Sequence, residues 1–233
     1  MLQHPLLPFG AETVAEFCYT ELDRAAAARG HATLAIPGGR SPGPVITHLA
    51  AMLDPFLRAR LHLLWVDERA VPLDHPDRNH SPLLAAWDAG GKRPEHVHIM
   101  PAQAEDLEAA SQEYAHTLRS IGADQGCDIA LLGIGEDGHF ASCFPNHPGL
   151  DELGPVFALY DSPKPPPRRL SLALPVIAGS TNIVILAFGH DKGLRIQEAL
   201  RAADPGNPVS LLPGERCRIF CDDAALASAT GQS

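Results

Sequence analysis

The chain has 233 residues, 45% of them hydrophobic and 20% charged, with a formal net charge of −10. This length suits one large α/β domain or two small ones, and the balance is that of a globular protein with a real core rather than a disordered chain. The negative charge argues against nucleic-acid partners, which need clustered Lys and Arg, although a few local arginines can still hold a small anionic substrate.

The opening MLQHPLLPFG has neither a basic stretch nor a long apolar run, so a signal peptide is not expected. No segment approaches the roughly 20 apolar residues of a membrane span. Residues 11 to 29 predict an amphipathic helix stopped by Gly30. ATLAIP, residues 32 to 37, predicts a short buried strand, and residues 42 to 53 a helix with Pro42 in its first turn. LHLLWVDE, residues 61 to 68, predicts a strand ending in acids, and VHIMPA another. Residues 105 to 121 predict a longer helix closed by Gly122.

CDIALLGIG, residues 127 to 135, is the clearest buried strand. Segments 153 to 160 and 169 to 174 are weaker strand candidates around the prolines at 165 to 167. NIVILAFG, residues 182 to 189, predicts a strand, residues 190 to 202 a helix, and CRIFCDD a last strand. Strands alternating with helices imply a mostly parallel sheet covered on both faces, a modified Rossmann-like α/β fold. With no repeat and no linker, residues 1 to 233 are expected to form a single domain. The irregular passage 145 to 168 is of the kind that often carries function.

Cys18, Cys127, Cys143, Cys217 and Cys221 are odd in number and form no CxxC, which points to a reducing cytoplasm rather than a disulfide scaffold. No histidine spacing suggests a metal site.

Four stretches carry chemistry. GGRSP, residues 38 to 42, is either a tight crossing or an anion seat at a helix start, with free N–H groups, an Arg40 fork and Ser41 as helix cap. It lacks the GKS or GKT of a Walker loop. WVDERAVP places Asp67, Glu68 and Arg69 at a strand end, where α/β sheets gather ligands. Arg69 would take an anion, and Asp67 a hydroxyl or the orientation of a base. LLGIGEDGHFASCFPNHP, residues 131 to 148, contains GxGxxG, but Pro145 and Pro148 leave little room for the helix of a dinucleotide site. Its glycines instead bring backbone close to a small ligand and present His139 beside Glu136 and Asp137, as a base or as a packing residue. Ser142 is in no nucleophile elbow, and Cys143 reads as core. Finally, PPPRRLSL and AFGHDKG supply Arg168, Arg169 and Lys192. A lysine early in a helix is unfavourable unless an anion joins it.

In this order, GGRSP, DERAVP with Asp77 and Asn79 behind it, GIGEDGHFASCFP, and PPRRLSLALPVI with FGHDK resemble four blocks of the 6-phosphogluconolactonase family. That family is related in fold to glucosamine-6-phosphate deaminase. The resemblance spans roughly residues 30 to 225. It implies hydrolysis of 6-phospho-D-glucono-1,5-lactone to 6-phosphogluconate, in the oxidative pentose phosphate pathway, without cofactor or metal. It gives His139 the role of base and Ser41, Arg69, Arg169 and Lys192 the phosphate. Arg169, rather than Arg168, falls at the family's distance after the prolines.

Asp67 joins His139 as an expected catalytic residue. Gly38, Gly39, Arg40, Asn79 and Gly138 complete the expected substrate-binding set, and N–H groups from Gly135 to Gly138 are expected oxyanion donors. Departures from the family pattern include Arg40 for serine, Cys143 for leucine and Phe140 for a small hydroxyl residue. Because Phe140 adjoins the base, it is expected to alter the pocket. The competing readings are a sugar-phosphate deaminase, a non-catalytic sugar-phosphate sensor and, on glycine spacing alone, a nucleotide-binding protein. Both a monomer and a homodimer accord with the sequence.

Overall fold

The apolar runs pair into a seven-stranded, wholly parallel sheet, beside which the chain forms a second sheet of three antiparallel strands. The structure is a computed structural model that describes residues 6 to 231; the first five residues of the opening decapeptide lie outside it. The elements in chain order are β1 (Leu6–Pro8), α1 (Ala11–Arg29), β2 (Ala32–Ile36), α2 (Gly43–Met52), α3 (Pro55–Arg58) and β3 (Leu61–Trp65). There follow β4 (Asp67–Arg69), α4 (His80–Ala89), β5 (His96–Val97), α5 (Leu107–Ser120), β6 (Ile129–Gly133) and β7 (Val156–Leu159). The last are β8 (Arg169–Leu172), α6 (Leu174–Gly179), β9 (Asn182–Ala187), α7 (His190–Ala199), β10 (Cys217–Cys221) and α8 (Asp223–Thr230).

The large sheet runs β1-β10-β9-β6-β2-β3-β5. Every residue of β2 is buried, as are four of five in β6, which is why these strands read as continuous apolar runs. Helices flank the sheet, α1, α2 and α4 packing together and α7 against α8. Strand order advances one way through β2, β3 and β5 and the other way through β6, β9 and β10. Between β2 and β6 the direction reverses, and the crevice beyond their carboxyl ends is where such sheets bind ligands. No described helix is long and apolar enough to cross a membrane.

Several boundaries depart from the sequence reading, each for a local reason. The strand expected over 61 to 68 breaks at Val66. The Val66 N–H donates to Ile36 in the large sheet, while its carbonyl accepts from Leu172, so the chain steps from one sheet to the other there. Of VHIMPA only Val97 belongs to a strand. Asp106 and Asp222 cap α5 and α8 through the Ala109 and Ala225 N–H groups. The cap at Asp222 turns the end of CRIFCDD into a helix start. The weak segments around 153 to 160 and 169 to 174 are the paired strands β7 and β8. Helices α3, α4, α6 and α8 were not anticipated.

Candidate active site

Beyond the carboxyl ends of β2 and β6 lies a cavity of about 320 Å³. All but two of the expected site residues line it: Gly38, Gly39, Arg40 and Ser41 from the turn after β2, Asp67 and Arg69 from β4, His139, Arg169, and Lys192. The exceptions are Asn79 and Gly138, which stand behind it.

His139 is placed by the loop that follows β6. Residues 134 to 147 contain no helix, in keeping with rejection of a dinucleotide turn. The Gly135 N–H donates to the His139 carbonyl at 2.8 Å, closing the loop on itself. A side chain at Gly135 would lie 2.1 Å from His139 Nδ1 and 2.5 Å from Asp137 Oδ1, so only glycine leaves room for the contact between them. Gly138 has φ +82°, and a Cβ there would meet Asn207 Oδ1 at 2.0 Å. Gly138 therefore shapes the loop and does not line the cavity. The N–H groups of Gly135 and Gly138 are both spent inside this loop, which removes them as oxyanion donors.

The His139 ring is one-fifth exposed, tilts against Phe144 at 4.8 Å, and contacts Asp137 Oδ1 through Nδ1 at 2.5 Å. Burial by itself would raise the Asp137 pKa. The hydrogen bond and positive charge of His139, with Lys164 beside it, outweigh burial and hold the carboxyl below its usual range. An ionised Asp137 accepts the Nδ1 proton, which leaves the lone pair of the neutral imidazole on Nε2. The carboxylate that orients His139 is thus Asp137, not Asp67.

Asp67 is 5% exposed and fully engaged. It accepts from Asn79 Nδ2 at 3.0 Å and Ser142 Oγ at 2.9 Å, and Arg169 Nη1 lies 3.6 Å away. Asn79 is buried, and its amide fills the space beside Gly38, so it braces Asp67 from behind. Glu68, next in the chain, is wholly buried. It accepts from the N–H groups of Arg69, Asn79 and His80, with the Arg78 guanidinium at 3.7 Å. Arg78 in turn donates to the Arg69 carbonyl.

The cations come from the small sheet. In the antiparallel pair of β4 and β8, Arg69 stands directly opposite Arg169, so both side chains leave the same face. Like charges so placed repel, and burial with Arg69 nearby lowers the Arg169 pKa against the pull of Asp67. Carbonyls of Lys164, Pro165 and Pro166 hold the rest of the Arg169 guanidinium. Arg69 Nη1 donates to the Asp77 carbonyl, while its Nε is buried without a partner. Arg168 points elsewhere, to the Glu105 carbonyl. Lys192 is third in α7, at the cavity wall. No N–H from Gly38 to Ser41 donates to a described backbone carbonyl. Ser41 caps nothing, because α2 opens at Gly43 without a side-chain cap. Together these groups make a strongly cationic wall opposite one histidine.

One further expectation changes, for Phe140, while Cys143 lies in the core as expected. Phe140 is wholly buried and turns into the core through a bridge to Cys143, so it does not shape the cavity. Cys143 is equally buried, and burial pushes its thiol up to about 12. The sequence reading noted Asp137 beside His139 without assigning it the orientation, though the D-x-H spacing carried that signal. Lys164, 3.2 Å from Asp137 Oδ2, was missed altogether, and nothing local to it in the chain points to Asp137.

A protein-family profile described as glucosamine-6-phosphate isomerases/6-phosphogluconolactonase matches residues 10 to 220. A 6-phosphogluconolactonase of Streptomyces coelicolor is 35% identical, over 94% of this chain and 89% of its own. One from Mycobacterium tuberculosis is 36% identical, over 78% and 77%. The crystal structure of 6-phosphogluconolactonase from Thermotoga maritima superposes with a TM-score of 0.81 at 28% identity, covering 94% of this chain and 97% of that one. A monomeric glucosamine-6-phosphate deaminase shares the fold, with a TM-score of 0.77 at 19% identity over 94% and 95%.

Proposed function

The chain belongs to the glucosamine-6-phosphate isomerase/6-phosphogluconolactonase family, and we propose that it works there as a 6-phosphogluconolactonase with His139 as its base. It hydrolyses 6-phospho-D-glucono-1,5-lactone to 6-phospho-D-gluconate. The observation that carries the division of labour is the meeting of the Asp137–His139 pair with Arg40, Arg69, Arg169 and Lys192 in one cavity.

Neutral water is a poor nucleophile toward the lactone carbonyl. His139 Nε2 takes its proton as the oxygen adds to C1, and Asp137 stabilises the imidazolium that forms. The imidazolium returns the proton to the ring oxygen as the C1–O bond breaks, so histidine is regenerated, and the carboxylic acid formed releases its proton to solvent to give the carboxylate. The phosphate occupies the cationic wall, where the free N–H groups of the 38–41 turn and the charged donors of Arg69 and Lys192 converge. Its dianion relieves the repulsion between Arg69 and Arg169. Binding energy released there orients the distant C1 against His139. The five buried free thiols accord with a reducing compartment, the cytoplasm.

The test uses freshly prepared lactone, with spontaneous hydrolysis subtracted at each pH. Arg69→Ala and Lys192→Met should each lower kcat/KM for the phosphorylated lactone by roughly 10- to 100-fold, the loss of one or two charge-assisted bonds. Glucono-1,5-lactone, without phosphate, should be hardly affected. Equal loss on both lactones would remove the phosphate assignment, and ammonia release from glucosamine 6-phosphate would favour the deaminase branch.

A further inference from the structure

Segment Ser162–Arg169, joining β7 to β8, is tied down at one residue from several sides. The Lys164 carbonyl accepts from Ser162 Oγ at 2.7 Å and from Arg169 Nη2 at 2.9 Å, and the Lys164 N–H donates to Ser162 Oγ at 3.2 Å. Its side chain is therefore launched from a fixed backbone. The ammonium reaches Asp137 Oδ2 at 3.2 Å, while the other oxygen of that carboxylate holds His139 Nδ1. Lys164 does not line the cavity, so any influence on the reaction passes through Asp137.

We propose that Lys164 is a positioning residue of the reaction, which by occupying Oδ2 of Asp137 keeps Oδ1 on His139 Nδ1 and weakens the carboxylate's hold on the imidazolium. The inference rests on the reading of His139 as base. A carboxylate shared with an ammonium stabilises imidazolium less than one that serves the histidine alone. The effect is to leave more of His139 neutral at a given pH. The other charged groups facing the same space are Asp67 and Arg69 from β4, Arg169 from β8, Arg40 from the turn after β2, and Lys192 from α7. They stay in place when Lys164 changes. The same proline segment grips the Arg169 guanidinium, so one short strap supports both the phosphate wall and the base.

Lys164→Met and Lys164→Arg are compared with the wild type by two readouts: the rising acid limb of kcat/KM, and direct NMR titration of the His139 ring. With Met, both midpoints should move up by about half to one pH unit, the scale of one nearby, half-exposed charge. The shift should shrink at high salt. Arginine should restore both midpoints, and KM for the phosphorylated lactone should stay within about 2-fold, because phosphate contacts are untouched. Unchanged midpoints in Lys164→Met, or an arginine variant that behaves like methionine, would overturn the proposal. The two readings fail separately. A His139→Asn enzyme with normal kcat removes the base, whereas the NMR midpoint reports on Lys164 whatever the activity.

Discussion

Asp67 and Asp137 both line up beyond buried strands at the same edge of the molecule, yet their surroundings differ. Asp67 is 5% exposed, and fixed protein donors fill both of its oxygens. With Glu68 and Arg78 it belongs to a buried polar bracket that ties β4 to the start of α4. The Asp137 side chain is 34% exposed, and its partners are a titratable ring and a half-exposed ammonium. A buried, saturated carboxylate has little freedom to exchange protons and serves to hold neighbours still. A part-exposed carboxylate that faces one histidine can stabilise a charge that comes and goes. Rigid brackets behind and a part-exposed aspartate–histidine pair in front are the two halves of this site.

The sharpest way to break that division is His139→Asn. It should lower kcat by roughly 10²- to 10⁴-fold, while binding of 6-phosphogluconate, measured by calorimetry, changes little. A folded variant with near-normal kcat would transfer the base to the bracket side, beginning with Asp67. Next in size, Glu68→Gln leaves the buried Arg78 guanidinium without its countercharge and should cost about 3–5 kcal/mol of stability in urea unfolding. A loss below about 1 kcal/mol, the worth of a surface pair, would mean that the bracket bears no structural load.

Gly138→Ala probes the boundary between the two halves. Its φ of +82° and the nearby Asn207 oxygen should make alanine destabilising by roughly 1–3 kcal/mol. It should lower kcat as well, because the displaced loop carries Asp137 and His139. Loss of stability with unchanged kcat would show the loop to be more tolerant than its packing implies.

The smallest effect concerns acid. Asp137 is held below its ordinary pKa in the folded protein, so its contribution is fully present above the unfolded value, about 4, and fades as pH falls through the folded value. The Tm gap between wild type and Asp137→Asn should therefore narrow as pH falls below about 4. A gap that widens in acid would have the wrong sign for this linkage.

Much of this was legible along the chain. Apolar runs such as ATLAIP and CDIALLGIG announce doubly covered strands because burial on both faces tolerates no polar alternation. Glycines, prolines and the GEDGH stretch mark the turns that deliver His139. Short helices such as α3 and α6, which hold four and six residues, leave too little periodicity to read. The three-stranded sheet was hidden because its strands have only three or four residues and β4 lies about a hundred positions before the β8 strand that it pairs with.

The sequence by itself determined the alternation of strand and helix, the parallel sheet, the turn that carries His139 and the supply of cations, because these depend on local pattern and residue type. Tertiary structure alone decided which carboxylate serves the histidine, since Asp67 and Asp137 differ in burial and partners rather than in chemistry. It also set Arg69 opposite Arg169, turned Phe140 away from the cavity and brought Lys164 to Asp137. Those outcomes depend on strand register and on loops closing across the chain, and neither is encoded in the spacing of neighbouring residues.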